Sequence, residues 1–572
     1  MREVYERAEQ VIVWLGLAAD ASDAAMDLVA GDVTAGSEDA VVPGTFEYLP
    51  SEDECDSESD IQYLDTKEQA VTSSKRSLSV DDSQAADRSR EELEVAWTGF
   101  FHLVQRPWWS RVWIMQEFAV AARESIFQCG DKAVKAQELR RIVELPTQAR
   151  AFVPGSLDWE TRVKIKAGFN TLGVFFARES FQRTGGFNLE LILTSTTLNC
   201  QATNARDKVY GLLGLTSEPF RAAVVPDYSK SVTGIYTETS RSIININGRL
   251  DILSTNTASD RKMQPPLPSW VSDWALGASR PSTLNKTGVY SACGLLAAQV
   301  NPASPPEVLD AGGFHVDTIV SVTEPVGQGF ANTDVSVRSV VRQIADHLKR
   351  FISRRVRAIP TDSRYAMAHL RRSLQLDPDP RNSDAFWRTL CADRVISSEI
   401  RSPAPEHFAS LFELLLYPPY ETSKSDRTYL DQSNFDSVVV DWPRLPANHY
   451  SGVPEHFMPG LADTLRVEKY VEPLVMGIGQ ALGGRVFFIT RGGRMGIGPQ
   501  DCKHGDGVAV LGGAHVPFVL RPERGWESGI DADVRLVGEA YVHGIMRGEV
   551  VVDALESTAI EGAASYRRFR IW

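Results

Sequence analysis

The spacing of apolar and polar residues predicts an α/β fold for the amino-terminal part of the chain. A helical pattern over residues 1–10 leads directly into the continuous apolar run VIVWLG, residues 11–16, which is typical of a buried strand. Ser231 is a helix-capping residue type, and the apolar residues behind it predict a helix that extends to about Asn247. The same periodicity predicts further helices over 18–29, 93–104, 110–122, 136–144, 159–177 and 205–215, and a short strand over 125–128.

The carboxyl-terminal part follows a different pattern. Short apolar runs alternate with Gly, Pro and Asp turns, which predicts a small antiparallel β-barrel-like or sandwich module over residues 476–572. We divide the rest into residues 1–216, a helical extension over 217–300 and a mixed α/β region over 301–475. The strands expected in the module are 486–490, 505–511, 516–521, 536–542 and 549–553.

An acidic segment interrupts the first region. Six of the ten residues 51–60 are acidic, and Ser and Asp dominate from there to about Ser89. Such a composition offers too little apolar surface to offset the entropy lost on ordering. We therefore predict a disordered insertion over about 31–90.

Charge and cysteine content narrow the class of protein. The formal net charge is -14 with no visible basic cluster, which argues against a nucleic-acid partner. No apolar run reaches the roughly 18 residues of a membrane span. Six scattered cysteines without a CxxC pair fit a reducing compartment, so we expect a cytoplasmic protein.

Two positions with charged side chains are candidates for chemistry. Glu117 follows Trp113 by four residues and so shares its helix face, where it is either a hydrogen-bonded structural acid or a tuned functional carboxylate. Arg206 and Asp207 open a helix, where Asp207 suits the positive end of the helix dipole and Arg206 suits an anionic ligand. The residues alone favour the structural interpretation at both positions.

Other patterns do not indicate a cofactor or metal site. A dinucleotide loop needs a strand before it and a helix after it, but the glycines of 477–484 are followed by a predicted strand, 485–490. Cys502, His504 and His515 do not have the spacing of a zinc finger. We therefore expect neither a cofactor nor a bound metal.

Several segments together resemble the fungal heterokaryon incompatibility (HET) domain. They are MREVYERAEQVIVWLG, RPWWSRVWIMQE and FQCG, followed by ARDKVYGLLGL, VPDYSKSV and LPSWVSDW, and the tail resembles the carboxyl-terminal region common in such proteins. The motif residues that the resemblance treats as structural are Trp14, Gly16, Pro107, Trp108, Arg111, Trp113, Gln116, Cys129, Gly130, Arg206, Asp207, Trp270 and Trp274.

The resemblance implies a function and a fold. HET proteins act in fungal non-self recognition that leads to programmed cell death, through protein partners and self-association. The domain is thought to be remotely similar to TIR domains, which implies a flavodoxin-like parallel sheet. Two family blocks that normally precede the first helix are absent, so we expect an incomplete sheet in an amino-terminally truncated domain.

Three functions remain open on this basis. We expect a signalling protein without catalysis in this form. Some TIR domains cleave NAD with a glutamate four residues after a tryptophan, so the first alternative is an NAD hydrolase that uses Glu117, with NAD only as its substrate. The second alternative is a degenerate binding or oligomerisation module.

Overall fold

A computed structural model describes most of the chain, and its residues fall into two units, Met1–Gly186 and Phe187–Trp572. The described residues are 2–31, 80–148, 169–196, 200–255, 266–275, 284–285, 288–327, 334–357, 384–396, 400–416, 464–526, 531–556 and 565–572.

The first unit is built from six helices and three short strands within the described residues. The helices are α1 (Arg2–Glu6), α2 (Ser22–Ala30), α3 (Val80–Val104), α4 (Trp113–Ala119), α5 (Ala136–Gln148) and α6 (Phe169–Thr184), and the strands are β1 (Ile12–Trp14), β2 (Ile126–Cys129) and β3 (Lys132–Lys135).

The sheet of the first unit has the order β1-β2-β3. β1 runs parallel to β2, with Ile12 opposite Ile126, and β2 and β3 form an antiparallel hairpin. The strand predicted in VIVWLG is present, but the prediction that it is buried on both faces is wrong. Val13 is buried, whereas Ile12 and Trp14 are 57% and 49% exposed, because successive side chains of a strand point to opposite faces and only one face is covered here. The TIR-like assignment of this sheet stays a prediction.

Two predicted boundaries in the first unit are wrong. The helix predicted over 110–122 is shorter, because α4 covers only Trp113–Ala119. A 3-10 turn, Pro107–Ser110, precedes it, and there the hydroxyl of Ser110 donates to the oxygen of Pro107 at 2.9 Å. The predicted disordered insertion over 31–90 extends too far, since α3 begins at Val80. The part of that prediction over 32–79 lies outside the described residues.

The second unit begins with a helical part. Its helices are α7 (Leu189–Thr196), α8 (Asp207–Leu213), α9 (Glu218–Ala223) and α10 (Val232–Asn247), followed by a 3-10 turn, Asp251–Thr255. The predicted start of α10 is confirmed, because the hydroxyl of Ser231 accepts the backbone N–H of Gly234 at 3.1 Å. Gly248, at φ +61°, ends the helix in the left-handed conformation that favours glycine.

The remaining elements surround an eight-stranded sheet. The helices are α11 (Asp334–Arg357), α12 (Asp384–Leu390), α13 (Phe408–Leu416), α14 (Thr464–Leu482) and α15 (Glu549–Glu556). The strands are β4 (Leu309–Val322), β5 (Val395–Ile396), β6 (Ile400–Arg401), β7 (Arg485–Thr490), β8 (Met495–Pro499), β9 (Gly507–Leu511), β10 (Phe518–Pro522), β11 (Asp531–Glu539), β12 (Tyr541–Val542) and β13 (Ser565–Ile571).

Five of these strands close into a ring. β4 pairs with β13, β13 with β11, β11 with β10, β10 with β9, and β9 returns to β4. β7, β8 and β12 extend the sheet from the other end of β4, and β5 and β6 form a separate hairpin. A closed ring has no free edge and encloses its own apolar core, in which Phe314, Val510 and Val537 are buried.

The structure differs from the predicted β module in three ways, and the first is that β11 and β13 pair in parallel rather than antiparallel. Strand β4 lies in the region predicted as mixed α/β, so the sheet begins well before residue 476. The strand predicted over 549–553 is wrong, since this segment belongs to α15. Val550 and Val551 are buried and Val552 is exposed, which is the pattern of one helical turn against the barrel.

No helix among the described residues combines the length and the apolar character that crossing a bilayer requires.

Candidate functional site

The side chain of Arg106 hydrogen-bonds to the backbone of the loop that follows β1. Its Nη1 donates to the backbone oxygens of Leu15 and Leu17, both at 2.9 Å, and lies 3.1 Å from the Sγ of Cys129 at the end of β2. Its Nη2 donates to the oxygen of Ala19 at 3.3 Å. The planar guanidinium carries five donors in a rigid fork, which allows one side chain to bind several oxygens of one loop.

Two glycines of the motif segments shape the same corner. Gly16 and Gly130 have φ +109° and +56°, and the N–H of Gly130 donates to the oxygen of Gly16 at 2.9 Å. A Cβ on Gly130 would lie 3.2 Å from the backbone N of Ala18, so a side chain would meet both close contact and backbone strain there. The structure thus brings Gly16, Cys129 and Gly130 together with Arg106.

The motif tryptophans pack into the core beside β2. Pro107 sets the start of the 3-10 turn that carries Trp108 and Trp109. Trp109 stacks on Phe127 of β2 at 5.4 Å between ring centroids, and Trp108 contacts Trp109 edge to face at 4.8 Å. The Nε1 of Trp109 donates to the oxygen of Leu103 at 3.0 Å, which satisfies its buried polar atom.

Glu117 lies half-buried on α4, one turn after Trp113. It is hydrogen-bonded to the hydroxyl of Tyr5 on α1, and Arg111 lies close by. Burial raises the pKa of Glu117 above its ordinary value, while the positive charge of Arg111 and the hydrogen bond from Tyr5 act in the opposite direction. Gln116, beside Glu117, is buried.

This arrangement allows two roles for Glu117. A carboxyl group with a raised pKa holds its proton at higher pH than usual and can donate it to a substrate. A carboxylate that accepts a hydrogen bond from a neighbouring helix also serves to hold two helices together, and Glu117 on α4 accepts such a bond from Tyr5 on α1. A further motif residue, Trp14, lies on β1, and about half of its surface is exposed to solvent.

Arg206 and Asp207 have structural partners. The Nε of Arg206 donates to the oxygen of Lys230 at 2.9 Å, and Asp207 accepts the hydroxyl of Tyr228 at 2.7 Å. Asp207 stands in the first turn of α8, as its predicted interaction with the helix dipole requires, but Arg206 rather than Asp207 occupies the cap position. Both side chains therefore attach α8 to the turn at 226–230.

Trp270 and Trp274 are core residues of the second unit, and each is at most 1% exposed. The Nε1 of Trp270 donates to the oxygen of Glu307 at 3.0 Å, and Trp274 contacts Tyr236 of α10 at 4.8 Å. The motif residues up to Gly130 thus lie in the first unit and the last four in the second.

The sequence did not reveal a polar cluster in the second unit. The Nδ1 of His515 lies 2.7 Å from Asp251, and its Nε2 lies 3.0 Å from Arg249. Asn247 donates to the carboxylate of Glu190 at 2.6 Å. Burial and, next, the charge of Asp251 raise the pKa of Glu190 to about 7.

The residues that sequence reasoning missed are defined by contacts between distant segments. Tyr5 and Arg106 lie inside the motif segments, but nothing in the spacing indicates that one bonds Glu117 and the other binds the loop after β1. Likewise Glu190 and His515 belong to segments that only the folded chain brings together.

Comparison with known proteins gives matches at both ends of the chain. Residues 1–117 match the model of the heterokaryon incompatibility protein (HET) family, and residues 306–557 match the Het-6 beta-barrel domain. The second match begins three residues before β4, in agreement with the closed ring rather than with a module starting at 476. The chain is similar to Heterokaryon incompatibility protein 6, OR allele, of Neurospora crassa, with 28% identity over 598 aligned positions that cover 96% of this chain and 78% of the relative. No solved structure matches the chain.

Proposed function

Because this chain is a fungal HET-domain protein that also carries a Het-6 β-barrel domain, we propose that it acts in heterokaryon incompatibility, as a non-self recognition protein whose response is cell death. The observation that carries the proposal is the similarity to one incompatibility protein over 96% of the chain. That similarity includes both the HET region and the barrel, so it supports a role of the whole arrangement rather than of one shared module.

The proposal places the protein inside the cell. All five cysteines within the described residues are buried free thiols, which is the state that a reducing compartment maintains. Recognition then takes place after two cells have fused and their contents have mixed. The partners are proteins, including further copies of this chain.

The test is a fusion assay. The chain is expressed in a fungal strain, which is then fused with a strain of the same allele at this locus or with a strain of a different allele, and dye uptake reports dying fused cells. We expect death only in the unlike pair. Equal survival in both pairs, with the protein present at equal amounts, would remove heterokaryon incompatibility as its function.

We further propose that signalling does not require catalysis and that Glu117 serves to hold α1 against α4. Its support is the hydrogen bond from Tyr5, which leaves the carboxylate engaged within the protein. The competing function is NAD hydrolysis, and the observation that favours it is the raised pKa of Glu117, caused first by burial.

A Glu117→Gln variant separates the two. Glutamine keeps the shape and can still accept the hydroxyl of Tyr5, but it cannot act as a carboxylate. We expect no nicotinamide release from NAD by the folded protein and an unchanged fusion response in the variant. Nicotinamide release by the native chain that Glu117→Gln abolishes would establish the hydrolase instead.

A further inference from the structure

Arg394 is fully buried, yet its guanidinium has no hydrogen-bond partner. The residue is 0% exposed and stands at the start of β5, and its Nε, Nη1 and Nη2 all lack a partner within the part of the chain that the structure describes. Removing a charge from water without a partner is strongly unfavourable, and proteins normally pair such groups. An orphaned buried cation therefore indicates that something else supplies the negative charge.

The neighbouring carboxylates are already used. Asp393 accepts Arg388 at 2.6 Å, and Glu539 accepts Arg485 at 2.9 Å. Arg388 also pairs with Asp384 at 3.6 Å, so the acids in this region are bound to Arg388 and Arg485, whereas Arg394 makes no hydrogen bond to any of them. Glu539 also accepts the backbone N–H groups of residues 284 and 285, which occupies both of its oxygens.

The positive charge of Arg394 acts on the groups around it. Burial lowers the pKa of Arg485 first, and the nearby charge of Arg394 lowers it further. Arg394 opposes, in turn, the effect of burial that raises the pKa of Tyr290. Glu539 acts on the same two groups in the opposite direction, so Arg394, Arg485, Tyr290 and Glu539 lie close enough together to influence one another in the protein interior.

The backbone before Arg394 is held in a strained conformation. Ala392 and Asp393 have φ +55° and +47°, which residues with a side chain rarely adopt. Several hydrogen bonds keep them there: Tyr290 donates its hydroxyl to the oxygen of Ala392, and Asp393 accepts the N–H of Ala404 at 3.1 Å. Strain of this kind is concentrated at ligand sites, and here it directs the next side chain inwards.

We propose that Arg394 binds a compact oxyanion, a phosphate or carboxylate group, in a buried site of the Het-6 β-barrel domain. The flat guanidinium matches either group with two parallel hydrogen bonds, and the oxygens of the bound ion would accept from the donors of Arg394 that lack a partner. Because Arg394 is 0% exposed, we expect only a small ion to reach its guanidinium. The site does not depend on the incompatibility role proposed above.

The test uses the full chain, freed of anions by dialysis into chloride, with inorganic phosphate as the probe. Equilibrium dialysis with labelled phosphate at constant ionic strength should give one ion bound per chain, and thermal unfolding should move to higher temperature with phosphate. In Arg394→Met, which keeps the length of the side chain and removes the charge, the affinity for phosphate should fall at least tenfold. That variant should also unfold at a higher temperature than the native chain in chloride, because the unpaired charge is gone.

The control is Arg535→Met, an equal change at a side chain that is 67% exposed and paired with Glu523 on the surface. It should bind phosphate like the native chain. Competition by acetate identifies a carboxylate as the natural ligand, and lack of competition identifies a phosphate. Two results would overturn the site: no phosphate taken up by the native chain, which needs no variant to observe, or uptake by Arg394→Met equal to that of the native chain.

Discussion

Glu190 is a carboxyl group whose ionisation is coupled to folding, because burial and, next, the charge of Asp251 raise its pKa. Its pKa of about 7 lies above the ordinary value of 4.5, so the folded chain retains this proton where the unfolded chain has lost it. Stability linked to Glu190 is therefore fully present below about pH 4.5 and falls as the pH rises through 7. The groups that face it are Asp251, Asn247, Arg249 and His515, and burial together with the charge of Asp251 outweighs the hydrogen bond from Asn247 and the charge of Arg249.

A Glu190→Gln variant should remove this dependence. Glutamine keeps the contact with Asn247 but carries no charge. At pH 8 the free energy of unfolding of the variant should therefore exceed that of the native chain by on the order of 2 kcal/mol. The free energies of unfolding of the variant and the native chain should converge near pH 5. Denaturant unfolding between pH 5 and 8 measures the difference. Glu238→Gln, at an exposed ion pair with Lys230, is the control and should change little. An unchanged pH slope in Glu190→Gln would contradict the assignment.

Local signals account for the elements that the sequence predicted well. The capping hydroxyl of Ser231 directly precedes α10 and Gly248 directly follows it, so both ends of this helix carry a signal in the sequence. β4 has no such local signal. It is defined by its pairing with β13, which lies far away in the sequence, and a pattern within β4 alone does not reveal that partner. The run at 549–553 fits a strand as well as a helix, and only its packing against the barrel decides between them.

The closed ring depends on close approach between β4 and β9. Gly313 has no room for a side chain, since a Cβ there would lie 2.4 Å from the oxygen of Val510 and 2.9 Å from the Cα of Leu511. Both are backbone atoms, so a side chain would have to displace the strand rather than rotate away. The pairing that closes the barrel is therefore sensitive to a single methyl group.

Gly313→Ala should destabilise the barrel by about 2 kcal/mol or more, as overpacking of a rigid interior does. The matched control is Gly327→Ala, where no atom lies within 4 Å of the added Cβ. Denaturant unfolding compares the two variants with the native chain. A loss of stability of equal size in both would show that glycine replacement as such, and not contact with β9, is responsible.

At the scale of the whole molecule, the described chain divides into two units. Phe127 is the centre of an aromatic cluster in the first, and Trp274 packs against Tyr236 in the second. Because the members of each of these contacts belong to one unit, we expect the loss of either contact to leave the amides of the other unit protected from exchange.

Hydrogen exchange measured by mass spectrometry tests this independence. Trp109→Ala removes a buried ring that contributes about 3–5 kcal/mol and should speed amide exchange in peptides up to Gly186 only. Trp274→Ala should do the reverse, and each variant serves as the control for the other. Faster exchange throughout the chain in either variant would show that the two units unfold as one.

The contacts of Arg106 have a consequence for how this protein can vary between strains. The side chain binds backbone oxygens of residues 15, 17 and 19, and every residue type carries such an oxygen. The loop is therefore fixed in space whatever its own side chains are, and Leu17, which is 78% exposed, is left free to differ. Discrimination between self and non-self needs alleles that alter a surface without altering the fold, and a loop anchored in this way permits such substitutions while Arg106 itself does not.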